Sequence, residues 1–196
     1  IQNQLNKNKK INSLEVKDEE KNFINSLNLS ALKPMLYICN VDEKSVATGN
    51  NFSNSIKERA NNLSDNVVLV SALIESQIAE LENEKDKSEM LKELELKETT
   101  LKKVIHAGYN LLNLITFFTC EPKETRAWTI TKNTTASQAA GKIHTDFEKG
   151  FIRAEAITYE DFANLKGEAA CREAGKLRLE GKDYVVKDGD VFHFLF

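Results

Sequence analysis

The sequence predicts an α/β domain built on parallel strands, followed by a small α+β domain. Three observations carry this. Two unbroken apolar runs, Met35-Leu36-Tyr37-Ile38-Cys39 and Val67-Val68-Leu69-Val70, flank a helix-patterned stretch; such runs suit parallel strands covered on both faces, and strand–helix–strand is a βαβ unit. After Leu114 the texture changes to short strands around one short helix, an α+β pattern. A chain of 196 residues, 41% hydrophobic and 29% charged, holds one large domain or two small ones.

Taken in order, residues 1–12 are rich in Asn, Lys and Gln and would not fold alone. They are too polar for a signal peptide, and without an initiator methionine the chain is expected to begin within a longer protein. Residues 16–29 place Phe23, Ile24 and Leu27 at helical spacing, with Asp18, Glu19 and Glu20 suited to the helix N-terminus. Pro34 breaks that pattern before the first apolar strand. Residues 50–63 set Ile56, Ala60 and Leu63 on one side of a crossover helix leading to the second strand. From 75 to 113 the pattern is helical and charged, with Leu101, Val104, Ile105, Tyr109 and Leu112 as an apolar stripe and the Glu/Lys run 80–103 as a solvated face.

Residues 117–121 and 126–131 read as strands around the turn Pro122-Lys123-Glu124. Thr135 and Gln138 have capping-box spacing ahead of a helix over 139–144. Residues 151–158 form a further strand. Tyr184-Val185-Val186, the turn at Asp188-Gly189, and residues 191–196 read as a strand pair, with Phe192, Phe194 and Phe196 on one face.

The net charge of −3 and pI near 5.8 exclude a global basic field for nucleic acid, so any RNA contact needs a local patch. Two clusters qualify, Lys142/His144/Lys149/Arg153 and Arg172/Lys176/Arg178/Lys182. Each is interleaved with acids and reads first as a solvated face. Cys39, Cys120 and Cys171 are odd in number and lack a CxxC pair, which suits a reducing cytosol and buried apolar roles. No run is long enough to span a bilayer. His106, His144 and His193 are not at metal-ligand spacing and read as structural.

The chemistry-bearing residues sit at the carboxyl ends of the two apolar strands, where ligands bind in open α/β sheets. Asn40-Val41-Asp42-Glu43 follows the first. GTPases place N-K-x-D here, and its acid accepts two hydrogen bonds from guanine. Val41 stands in place of the lysine and Glu43, one methylene longer, in place of the aspartate. Ser71-Ala72 follows the second strand, where an S-A-K loop closes over the base, and Leu73 replaces the lysine.

The segments NVDE and VSALIESQIAEL, with HAGYNLLNLITFFTCEPKETRAWTI, QAAGKIHTDFEKGFIRAEAI and EGKDYVVKDGDVFHFLF, resemble the YchF (Obg-like) family of P-loop ATPases. The long stretches cover residues 104–196 almost continuously, and the weaker match reaches back to about Leu32. The resemblance implies three regions: 1–30, the end of a coiled-coil insertion with its return helix; 31–113, the C-terminal half of a P-loop NTPase domain; and 114–196, a ubiquitin-like β-grasp (TGS) domain. It implies nucleotide contacts at Asn40, Val41, Glu43, Ser71 and Ala72, with an N-x-x-E loop that favours ATP over GTP. It also implies ATP (or GTP) and Mg2+ in the full-length protein, a cytoplasmic ribosome or RNA partner through the TGS domain, and neither membrane nor DNA specificity.

One departure is large. The sequence contains no G-x-x-x-x-G-K-[ST] and no D-x-x-G, so the parts that position phosphates and magnesium are missing from it. The expectation is a fragment that alone neither binds ATP tightly nor hydrolyses it. The alternative is an RNA- or protein-binding TGS module with no nucleotide role.

Overall fold

A computed structural model describes residues 17–63, 65–121 and 124–196, so the expectations for residues 1–12 and for Pro122-Lys123 lie outside the described residues. The chain divides into two units, one running to Leu111 and the other from Leu112 to Phe196.

The first unit opens with α1 (Asp18–Ser26), where the Glu20 carboxylate accepts the Lys17 N–H at 3.1 Å. Of its apolar stripe Ile24 is buried, while Phe23 and Leu27 stay exposed. A single 3-10 turn (Ser30–Leu32) leads to β1 (Leu36–Asn40). The crossover helix α2 (Asn51–Asn62) starts at Asn50, whose side chain accepts the Ser53 N–H at 3.0 Å; the Ser53 hydroxyl accepts the Asn50 N–H at 2.8 Å. This reciprocal cap satisfies two donors that a helix start leaves free. Ala60 is its fully buried contact.

β2 (Asn66–Val70) pairs parallel with β1, setting Leu36 opposite Asn66 and Asn40 opposite Val70. That register ends both strands level, so the loops that follow are neighbours. The chain continues through α3 (Ala72–Glu80), α4 (Glu84–Glu93) and α5 (Thr100–Leu111). Val46, Ile74, Ile78 and Leu96 form the buried cluster, with Val41, Met90, Leu91 and Leu94 against it.

The Glu75 carboxylate on α3 accepts both the backbone N–H and, at 2.7 Å, the hydroxyl of the fully buried Thr100. It thereby caps the start of α5. Glu75→Ala is expected to destabilise the first unit by about 2 kcal/mol, because it orphans a buried N–H and hydroxyl. Hydrogen exchange at the Thr100 amide should accelerate with it, and an unchanged rate would refute the cap.

Two expectations need correction here. Burial of the first strand on both faces is not found: β2 is the partner of β1 among the described residues, and Ile38 is 54% exposed. Likewise Leu101, Ile105 and Leu112 of the α5 stripe are exposed. Apolar continuity records what a strand is built to bury, and these described residues leave that face bare.

The second unit holds β3 (Leu114–Cys120), β4 (Thr125–Thr131), α6 (Ala136–Ile143), α7 (Thr145–Lys149) and β5 (Arg153–Thr158). It closes with α8 (Tyr159–Leu165), α9 (Glu168–Glu173), β6 (Arg178–Glu180) and β7 (Asp190–Leu195). The strand order is β4-β3-β7-β5-β6, with β3 and β7 parallel and the other pairs antiparallel. Gln138 accepts the Thr135 N–H at 3.0 Å, as the capping-box spacing implies. The small residues Ala136, Ala139 and Ala140 let α6 lie close on Ile115, Phe117, Ile130, Phe192 and Phe194. Phe117 meets Phe192 and Phe194 edge-on, with centroids 5.8 and 6.0 Å apart.

The closing strand pair is also corrected. β7 pairs with β3 and β5, whereas the 184–186 stretch makes one isolated bridge, Val185 to Thr135. The cause is Asp190, whose carboxylate accepts the Lys187 N–H and the Tyr184 hydroxyl, both at 2.9 Å, and curls the preceding segment over. Phe192 and Phe194 are buried but Phe196 is exposed. Helices α7, α8 and α9 and strand β6 lie outside the elements that the sequence pattern predicts. Of the cysteines Cys171 is buried, and burial followed by the charges of Asp161 and Glu168 pushes its thiol up; Cys39 and Cys120 are half-buried rather than buried.

Candidate nucleotide-binding site

Level strand ends place the two loops side by side, and one side chain ties them. Asn40, the last residue of β1, accepts the Ala72 backbone N–H at 3.1 Å through Oδ1. That bond spans 32 positions of sequence and leaves the amide N–H2 of Asn40 without a hydrogen-bond acceptor among the described residues. The Val41 N–H is taken by the Val70 carbonyl at 2.8 Å, while its side chain packs against the Val46/Ile74 cluster.

Asp42 caps the 3-10 turn Glu43–Ser45, accepting the Ser45 N–H at 3.1 Å and the Ser45 hydroxyl at 2.9 Å. The hydroxyl bond is the main reason its carboxyl is held below the usual range. Asp42 shapes the loop. Glu43, next in line, accepts a hydrogen bond from the Gln77 amide of α3 at 3.4 Å. Ser71 occupies the cap position of α3 with 1% exposure, and its hydroxyl has no hydrogen-bond partner among the described residues. An orphaned hydroxyl beside the Asn40–Ala72 bond is a donor and acceptor held ready for a polar ligand.

All five sequence-predicted residues thus lie at the adjoining ends of β1 and β2 or in the segments that directly follow them. Sequence reasoning missed Gln77 and Glu75, which act from the α3 helix; no spacing rule links Gln77 to Glu43 across the chain. The Ser71 hydroxyl and the Asn40 amide are polar groups of the chemical kind that pairs with a purine edge. Among the described residues no three His, Cys, Asp or Glu side chains converge as a metal-ion cluster. Beside the loops a hollow of about 750 Å³ is walled by Ile38, Val70, Ala72, Leu101 and Val104.

The histidines are separate. His106 lies 3.7 Å from Glu98, His144 accepts the Asp146 N–H at 3.2 Å, and His193 is exposed on β7. Most of the second basic cluster is committed internally. Arg172 pairs with Glu155 and Glu168, Lys176 with Asp161, and Arg178 with Glu180 and Asp190. Among the described residues no helix is long and apolar enough to cross a membrane.

Residues 114–196 match the family model YchF-GTPase_C, described as a protein of unknown function (DUF933). A ribosome-binding ATPase YchF of Escherichia coli O157:H7 is 52% identical over 186 residues, covering 95% of this chain and 51% of that protein. The protein of the same name in Bacillus subtilis is 48% identical, covering 94% and 50%. The solved structure of the Schizosaccharomyces pombe YchF GTPase superposes with a TM-score of 0.81 at 38% identity, covering 97% of this chain and 50% of that one. The chain spans about half the length of the curated relatives it matches.

Proposed function

Because the chain belongs to the YchF family, we propose that it supplies the base-reading loops and the TGS domain of a longer, ribosome-associated ATPase. The observation that carries the reading is the Asn40–Ala72 hydrogen bond. It joins the two loops into one receptor edge before any ligand arrives, and preorganisation of that kind spares binding energy.

In the longer protein the Asn40 amide donates to a purine ring nitrogen, and the Val41 carbonyl accepts from the exocyclic amine of adenine. Ser71 and Ala72 flank the base on the other side. Guanine carries an oxygen where adenine carries that amine, so the Val41 carbonyl opposes it. Glu43, drawn toward Gln77, marks the loss of the guanine-reading aspartate. Phosphate positioning, magnesium and hydrolysis belong to residues outside this sequence. The bare face of β1, with Ile38 exposed, is covered there by further elements of a P-loop NTPase domain, whose additional strands extend the sheet at its edge.

The second unit is a ubiquitin-like β-grasp TGS domain. Support comes from its strand order, with the first and last strands parallel at the centre and a helix laid over one face. Its ribosome or RNA contact runs through Lys142, Lys149 and Arg153, because Arg172, Lys176 and Arg178 are spent in ion pairs. That contact places the protein in the cytoplasm. The 196-residue chain alone is expected to release phosphate from ATP no faster than background, measured as free phosphate over hours. Turnover above background would sink this division of labour.

A further inference from the structure

At one end of the second unit's core a hollow of about 240 Å³ opens, walled by Trp128, Phe147, Phe194 and Phe196. Its lining also includes Glu121, Glu124 and Arg126. The Trp128 indole is fixed by its N–H bond to the Thr119 hydroxyl at 3.0 Å, and Phe147 stacks on Phe196 with centroids 3.8 Å apart. Phe196 is 57% exposed, so the aromatic wall reaches solvent.

The backbones of Glu121 and Glu124, both exposed residues of the lining, are tied reciprocally: the Glu121 N–H reaches the Glu124 carbonyl at 2.9 Å, and the Glu124 N–H reaches the Glu121 carbonyl at 3.2 Å. Neither carboxylate makes a side-chain hydrogen bond or an ion pair among the described residues. An aromatic face already holds a cation here, since the Arg126 guanidinium sits 4.2 Å from the Trp128 ring centroid.

Aromatic walls with unpaired acids at the rim recognise cations, because ring faces and carboxylates both carry negative potential. Glu121 and Glu124 outnumber Arg126 in the described lining, and that acidic excess disfavours a phosphate. The volume lies below the range usual for small-molecule pockets, which suits a single inserted side chain. We propose that this hollow seats an arginine or lysine side chain from a basic segment of a partner protein, with Arg126 holding the place until it arrives. The assignment stands apart from the nucleotide reading, since it rests on the second unit only.

Trp128 is the single tryptophan of the chain, so its emission reports this hollow alone. Titrating the chain with hexa-arginine should give a saturable change in emission that weakens with salt. Glu121→Gln with Glu124→Gln should weaken the midpoint roughly tenfold, the scale of losing a charged partner. Glu82→Gln with Glu93→Gln removes the same charge from the first unit and should leave the midpoint unchanged. Arg126→Gln should tighten it several-fold by freeing the ring. Any emission response to hexa-uridine RNA, held by Lys142, Lys149 and Arg153, should be unaffected by the Glu121→Gln/Glu124→Gln pair. The proposal is overturned by an unsaturable response, by equal losses in the two double variants, or by RNA binding in place of the peptide.

Discussion

Asp190→Ala should destabilise the second unit by about 3 kcal/mol, the low end of what removing one partner of a buried ion pair costs. Asp190 is 2% exposed and accepts from Arg178 at 3.2 Å, from the Tyr184 hydroxyl and from the Lys187 N–H. Its loss orphans three donors together. The low end applies because the Arg178 side chain keeps 36% exposure and recovers water. Asp190→Asn keeps an acceptor for two of them and should lose about half as much. Urea unfolding followed by Trp128 emission measures this, with the midpoint moving and the slope constant. A shift worth under about 0.5 kcal/mol would mean that the network is ornamental.

The second large effect concerns base choice in the full-length protein. Val41→Lys with Glu43→Asp restores the spelling that reads guanine, and should raise GTP affinity roughly 30-fold, about 2 kcal/mol, the worth of a charge-assisted hydrogen bond. ATP affinity should fall, because a carboxylate at that point faces the ring acceptor of adenine. The Val41 side chain packs on the Val46/Ile74 cluster, so lysine there strains the loop. Glu43→Asp alone avoids that strain and should give part of the gain. If neither variant shifts the ratio, the loop does not read the base.

Much of this arrangement was legible because it is local chemistry. Apolar runs located β1 and β2, a Thr/Gln spacing located the start of α6, and polar residues directly after strands located Asn40 and Ser71. What escaped depends on distance. The Asp190 carboxylate reaches back to Tyr184 and Lys187 and bends a segment whose composition spells strand. Gln77 meets Glu43 and Glu75 meets Thr100 only after the helices pack. The exposure of Ile38 and Leu101 has the opposite origin, since their pattern records a burial that these described residues do not supply. Helices α8 and α9 are short and lack a long apolar stripe, so periodicity could not reveal them.

Nucleotide preference tests the central claim most directly. Competition of ATP and GTP for the unaltered full-length protein, at fixed magnesium, should show ATP displacing GTP at the lower concentration. A lower midpoint for GTP would contradict the reading of Asn40, Val41 and Glu43 as an adenine edge.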